Sequence, residues 1–476
     1  MKAKLCLIVL WALWGITPLF AQVPEIVWTK SFGGAEADRL VDVYPTDNGN
    51  FLTVGNLKGE TLDFWLLEVS GEGDSVLSRV YGTSRHDNLR SFWPTSDGGF
   101  ILAGNTLIRL YDGLVIKISA DGDSLWSWVY DNGTIEDISC VSELSTGGYI
   151  VAGMSNSRGI SSGDGFLAKI SSEGETLWTR SFGGQWQDKF FYAAETGDGG
   201  IIACGSMANG GDFLWLFKTD ANGDSLWSRT FGSGGPNILA KATFVREVAG
   251  GFVLTGMQYI PNTGREQIFL IRTDAHGDSL WGRYYGGAGN ESASYLCQDL
   301  EGGFIMAGYF DPADDETVKH PLILKVGSEG DSLWSLVCLD QEGELTAIRQ
   351  LADSGFITVG NVYIQETDRN GLIMRLTAEP NFIGRPDWQV LRSPALLSTY
   401  PNPSNGALNI VFTAPFSGNA SLFLSDMDGR EVLNFQEGFS QGINHLAITP
   451  SLASGVYLIR LRAGDFMQAT KWTLIK

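Results

Sequence analysis

The sequence predicts an all-β protein, a seven-bladed β-propeller followed by a small β-sandwich, and three observations predict it. A pentapeptide of the form GDSLW recurs along most of the chain. Apolar segments that alternate in twos lie between its copies. Gly is abundant, 60 of 476 residues, and falls in the polar turns that separate those segments. Short aromatic-rich strands joined by Gly turns are an all-β pattern, and a period near 50 residues is that of propeller blades rather than helical solenoids.

Residues 1–21 read as a secretory signal peptide. Lys2 and Lys4 give a basic start, Leu5 to Trp14 are apolar, and Ala21 offers a small residue for cleavage. Gly15, Thr17 and Pro18 interrupt the stretch too early for a membrane span. No transmembrane segment is expected in the mature chain. Cys6 falls within this segment, leaving Cys140, Cys204, Cys297 and Cys338. They show no CxxC spacing, which argues against zinc, and their apolar strand contexts favour buried, unpaired thiols over disulfides.

From residue 22 to 376 the repeat sets the fold. The motif ends at Trp126, Trp178, Trp227, Trp281 and Trp334, with Leu77 and Trp28 in the equivalent places before them; the intervals are 49, 49, 52, 49, 54 and 53 residues. Each unit reads as four strands. A second strand opens at Phe51, Phe100, Tyr149, Ile201, Phe252, Phe304 and Phe356, and a third ends near Glu68, Lys117, Lys169, Lys218, Arg272, Lys325 and Arg375. Asn-Gly, Asp-Gly and Gly-Gly supply the positive φ that tight hairpins need. Seven second strands and seven third strands give seven blades. No motif strand follows Arg375 and one is left over around Trp28, so Val27 to Phe32 is expected to complete the last blade and close the ring. The repeated Trp is read as an inter-blade wedge rather than a ligand site.

This unit resembles bacterial propeller repeats of the form DGGyilaG…D.wliK.d..Gd.lW and, more distantly, the tryptophan-docking repeats of quinoprotein propellers. The resemblance covers residues 23–376 and implies fold more than function. GDSLW is one residue too long between Gly and Trp to match the Asp-box turn of sialidases.

Length variation concentrates in the loop between second and third strands, longest at Met257 to Gln267 and Tyr309 to Pro321. Variable loops on one face of a rigid scaffold are where binding is expected. On the same face, ten residues after each motif position, lie Asp38, Asp87, Glu136, Asp188, Asn237, Glu291 and Glu344. They are expected to ring the mouth of the central channel. Either they accept backbone N–H bonds from the inter-blade turns, or they form a ligand-binding ring that takes a cation such as Ca2+ or repels anions. No metal or other cofactor is expected on motif grounds.

The formal net charge of −21, from 54 acidic and 33 basic residues, excludes nucleic acid as a partner, because no Lys or Arg cluster is present in the sequence. Catalytic signals are poor. His86, His276, His320 and His445 are scattered, GFSQG at Gly438 to Gly442 lacks the helix of a nucleophile elbow, and TDANGD and TDAHGD work as hairpin turns.

Thr377 to Ser398 carries Pro380, Pro386 and Pro394 and reads as a linker. From Thr399 to Lys476, LNIVFTA, ASLFLSD, HLAITP, GVYLIRL and ATKWTLIK alternate as strands of an Ig/Fn3-like β-sandwich. Tyr400, Pro401, Asn402 and Pro403, then Asp428, Gly429 and Arg430 within DMDGREV, then Gly455 and Tyr457 within LASGVYLIRL, and a terminal KWTLIK follow one another in order. Residues 399–476 thereby resemble the type A C-terminal sorting domain of the type IX secretion system. The resemblance implies an outer-membrane bacterium, the secretion machinery as partner, and a secreted product that is extracellular or held at the cell surface.

The function expected is a surface or extracellular propeller that binds a glycan or protein through its variable-loop face, rather than an enzyme. The alternative is a carbohydrate-active or other hydrolytic enzyme using carboxylates on that face; a quinone-dependent dehydrogenase rests only on the Trp-docking likeness.

Overall fold

The computed structural model describes residues 22–382 and 398–474, apart from 35, 109, 157–162, 209–210, 233–238, 262–263, 288, 313–317, 340, 366–367, 401–407, 415–417, 427–429, 440–441, 450 and 464–465. The described residues form strands joined by turns, with no α-helix among them.

Between residues 22 and 382 the strands form four-stranded antiparallel sheets of a β-propeller. The first sheet pairs Arg39–Pro45, Phe51–Lys58, Leu62–Val69 and Ser75–Tyr81 in chain order. Five more sheets repeat this order, with first strands Asp87–Pro94, Glu136–Glu143, Lys189–Glu195, Ala240–Val248 and Asn290–Gln298. The last sheet takes Gly343–Gln350, Phe356–Gln365 and Asp368–Phe382 from one end of this region and Gln22–Phe32 from the other. In that pairing Trp28 lies opposite Arg375. The first strands touch one another from sheet to sheet, and the last touches the first.

The sheets pack face to face through the side chains of their middle strands, each layer drawing on two neighbours. One such layer joins Leu102, Leu114 and Ile116 to Leu52, Val54, Leu66 and Phe64. Burying apolar area at roughly 25 cal/mol per Å2 holds the sheets together, and hydrogen bonds such as Leu89 N to Asn56 Oδ1 and Ile138 N to Asn105 Oδ1 cross between neighbours.

The GDSLW motif is complementary to its own next copy. A side chain on Gly174 would meet the Trp126 ring at 2.8 Å, and the same relation links Gly73 to Trp28, Gly223 to Trp178, Gly277 to Trp227 and Gly330 to Trp281. The Gly thus seats the Trp of the preceding motif; the indole N–H of Trp126 donates to Ser172 O at 2.9 Å, and that of Trp28 to Gly71 O at 3.0 Å. The Trp rings are half-buried on the outer strands rather than deep in the core.

Two expectations about loops change. Met257 to Gln267 is mostly strand, because the ladder continues through Met257–Ile268 and Gln258–Gln267 to Ile260–Arg265. The expected linker begins later, because the strand Asp368–Phe382 runs on and pairs Pro380 with Pro24. Among the described residues no disulfide joins Cys140, Cys204, Cys297 and Cys338, and all four are buried.

The tail forms a three-stranded sheet of Ser398–Tyr400, Leu408–Ala414 and Gly442–Ile448. A four-stranded sheet follows, ordered Glu431–Phe439, Gly418–Asp426, Gly455–Ala463, Phe466–Leu474.

Candidate functional site

Every first strand carries a β-bulge at the same place, and a glycine causes it. Gly55, Gly104, Gly153, Gly205, Gly256, Gly308 and Gly360 lie opposite Leu40, Leu89, Ile138, Phe190, Ala242, Ala293 and Leu345. A side chain on any of these glycines would meet a first-strand carbonyl oxygen at 1.8–2.2 Å, so only Gly permits the approach. The extra residue shifts the pleat by one. Buried positions in these strands are therefore three apart, as in Leu40 and Val43, Leu89 and Phe92, or Leu345 and Ile348.

Between each such pair, two consecutive residues are released toward the channel. Val41 and Asp42, Arg90 and Ser91, Ser139 and Cys140, Phe191 and Tyr192, Thr243 and Phe244, Ser294 and Tyr295 line one cavity with Thr346. It holds about 310 Å3 and draws on the first strands of all the propeller sheets.

The cavity has a polar mouth and an aromatic floor. Tyr192, Phe244 and Tyr295 are adjacent, with ring centroids 4.2 and 4.5 Å apart. Arg349 lies over Tyr295 at 4.2 Å and pairs with Asp42 at 2.9 Å. Burial pushes the Tyr192 and Tyr295 hydroxyls well above their usual range and the Cys140 thiol up to about 11, so these groups stay neutral.

One residue before Leu40 and its equivalents stand Arg39, Asn88, Asp137, Lys189, Lys241, Ser292 and Glu344, the residues whose carbonyls crowd the glycines; Arg39 and Glu344 among them line the cavity mouth. Arg39 donates to Asn88 Oδ1, and Lys189 pairs with Asp137. Burial, then the neighbouring guanidinium groups of Arg90 and Arg369, lower the Arg39 pKa to about 10. Burial likewise lowers Lys189; Asp137 opposes this, while Arg90 and Lys241 add to it.

The acidic ring lies beside this mouth, not on it. Asp38, Asp87, Glu136, Asp188 and Glu291 are fully buried. Each accepts the N–H four residues upstream: Gly34 at 2.5 Å, Thr83, Asn132 at 3.4 Å, Gly184 at 2.7 Å and Gly287 at 3.0 Å. Asp38 and Asp188 also accept from Lys58 N and Ala208 N. The geometry fits the structural of the two readings, carboxylates that cap inter-sheet turns.

Counting ten residues from the motif misplaces two members of the ring. The step from Trp334 to Leu345 is 11 residues, against 12 from Trp28 to Leu40, so Glu344 moves into the mouth layer and Gly343 takes the ring position. The step from Trp227 to Ala242 is 15, which brings Ala240 to the ring position. Asn237 lies outside the described residues.

Within the ring, Glu291 is the exception. Its Oε2 and the Nε2 of Gln267 are buried without a hydrogen-bond partner among the described residues. Burial, with Asp311 nearby, pushes the Glu291 carboxyl up to about 8. A second departure is Asp131, which stands where most units have Gly. Its carboxylate joins those of Asp112 and Glu136 within 4.8 Å, an acidic trio that raises Asp112 through burial first and like charge second.

In the tail, Pro401, Asn402, Pro403, Asp428 and Gly429 lie outside the described residues. Tyr400 ends the strand Ser398–Tyr400, and Arg430 N donates to Asp426 Oδ1 at 2.9 Å. Gly455 opens a strand, and the buried Tyr457 donates its hydroxyl to Ala453 O at 2.8 Å.

Residues 398–476 match the secretion system C-terminal sorting domain family. No curated protein matches the chain in sequence. Solved structures similar in fold include the Pan2 WD40 domain of Neurospora crassa, 14% identical with a TM-score of 0.46 over 74% of this chain and 92% of that one. The periplasmic gluconolactonase PpgL of Pseudomonas aeruginosa is 12% identical, with a TM-score of 0.43 over 73% and 99%. The β-propeller domain of the Trilobed protease of Pyrococcus furiosus is 7% identical, with a TM-score of 0.37 over 71% and 96%. At this distance nothing about ligand or activity transfers.

Proposed function

Taking the chain as a secreted β-propeller protein with a type IX sorting tail, exported to the cell surface or extracellular space, we propose that the propeller is a binding module for a glycan or surface protein. Its site is the channel mouth with the loops around it. The observation that carries this reading is the single cavity lined from every propeller sheet and floored by aromatic rings. Concave sites with an apolar lining and a few convergent polar groups are where ligands bind.

The remaining parts of the reading follow the chain. Residues 1–21 are the signal peptide. Residues 22–376 and their continuation to Phe382 form one closed ring of seven blades, a reading supported by the pairing of Gln22–Phe32 with Asp368–Phe382. A linker follows, and the tail from 399 to 476 is an Ig/Fn3-like sandwich that presents the chain to the secretion machinery. The test is an array of glycans and matrix proteins probed with the mature protein. Specific capture of one class supports the reading, and silence across both classes overturns it.

A further inference from the structure

The chain carries a net charge of −21, yet the channel mouth gathers cations. Arg39 and Arg90 both line the cavity, with Arg369 near Arg39 and with Arg90 and Lys241 near Lys189; Asp137, Asp212 and Glu344 are counter-charges beside them. Asp137 is taken by Lys189, and Glu344 is shared with Lys319 at 3.3 Å. Arg90 and Lys241 are exposed and make no ion pair among the described residues. Like charges held together at a partly buried rim oppose folding, and Arg90 takes no part in the contacts by which Arg39 and Lys189 join neighbouring sheets. Such an arrangement is what an anion-binding site requires, because guanidinium groups offer paired donors to an oxyanion.

Beneath the cations the cavity offers flat apolar faces. Phe191 and Trp93 are half-buried on its wall, and Lys189 lies over Phe191 at 5.3 Å. A volume of about 310 Å3 is at the lower end of ligand cavities and admits one ring-sized group rather than a chain segment. We propose that the channel mouth binds the carboxylate-bearing end of an acidic saccharide, its oxyanion between Arg39 and Arg90 and its ring against the aromatic wall. This rests on the binding reading above and names its ligand class.

The probes are galacturonic acid, galactose (the same ring without the carboxylate) and acetate (the charge without the ring), titrated calorimetrically into the mature protein. Galacturonate is expected to bind at least tenfold more tightly than either control. An Arg90→Gln/Lys241→Gln variant is expected to bring it down to the galactose level with an unchanged melting temperature, since both side chains are exposed. Equal binding of galactose overturns the anionic part of the proposal. Equal binding of acetate overturns the saccharide part, and full affinity in the double variant overturns the site. If galacturonate fails while an array ligand is captured, the acidic-saccharide inference falls alone. If the array is silent as well, the binding reading falls with it.

Discussion

Arg349, on the first strand of the last propeller sheet, pairs at 2.9 Å with Asp42 on the first strand of the first sheet. Its guanidinium lies over Tyr295, so one side chain ties the two ends of the propeller region and completes the cavity floor. Burial raises the Asp42 carboxyl, and Arg349 is the strongest influence opposing this.

Removing one partner of this pair strands the other. Arg349→Met is expected to destabilise by about 3 kcal/mol, while the double change Asp42→Asn/Arg349→Met recovers at least half of that. Urea unfolding of the three variants checks it; equal losses in the single and double variants would contradict the pairing.

Trp126 and Gly174 are a second matched pair. Gly174 has φ of 87° and its missing side chain makes room for the Trp126 ring. Gly174→Ala is expected to cost more than about 1 kcal/mol, through backbone strain and the clash together. Trp126→Ala is expected to cost about 2–3 kcal/mol, less than a fully buried Trp because the ring is half-exposed. Thermal melts of both variants measure it, and Trp126→Ala should lessen the penalty of the Gly change.

Glu291 predicts a pH dependence. An unfolded Glu titrates near about 4.3, and burial moves Glu291 up to about 8 in the fold. Between those values the folded protein holds a proton that the unfolded chain releases. Its contribution is therefore fully present below pH ~4 and is lost as pH rises toward 8, at no more than about 1.4 kcal/mol per pH unit. Glu291→Gln should flatten that part of the stability profile and gain on the wild type at pH 8. A parallel profile in the variant would show that Glu291 is ionised in the fold.

The sorting tail predicts a change of compartment. A chain ending at residue 397 is expected to accumulate in the periplasm, while the full chain reaches the surface or medium. Cell fractionation with an antibody to the propeller reads the outcome, and surface display of the shortened chain would contradict the export route.

The strands were legible because their signals are local: a Gly turn, then alternating residues, then the motif Trp. The cavity was not, because the bulge breaks the alternation between Leu40 and Val43 and turns Asp42 away from the face that period-two counting assigns it. The signal was nevertheless present. Four residues after the opening residue of each second strand stands a Gly, as Gly55 after Phe51 and Gly104 after Phe100, and in each unit it marks the bulge. Arg39, Arg90 and Lys189 are scattered in sequence and meet only because equivalent strands converge on one axis. The acidic ring was legible as a pattern but not as a place, since turn lengths differ before Ala242 and Leu345.

The central claim is that the channel mouth is the binding site, and blocking it sterically tests this without altering charge. Ser139 lies at the bulge on the cavity wall. Ser139→Trp, in the mature protein with an unchanged melting temperature, is expected to abolish capture of every ligand that the wild type retains on the array. Undiminished capture by the plugged protein would place the site elsewhere on the molecule and contradict the account.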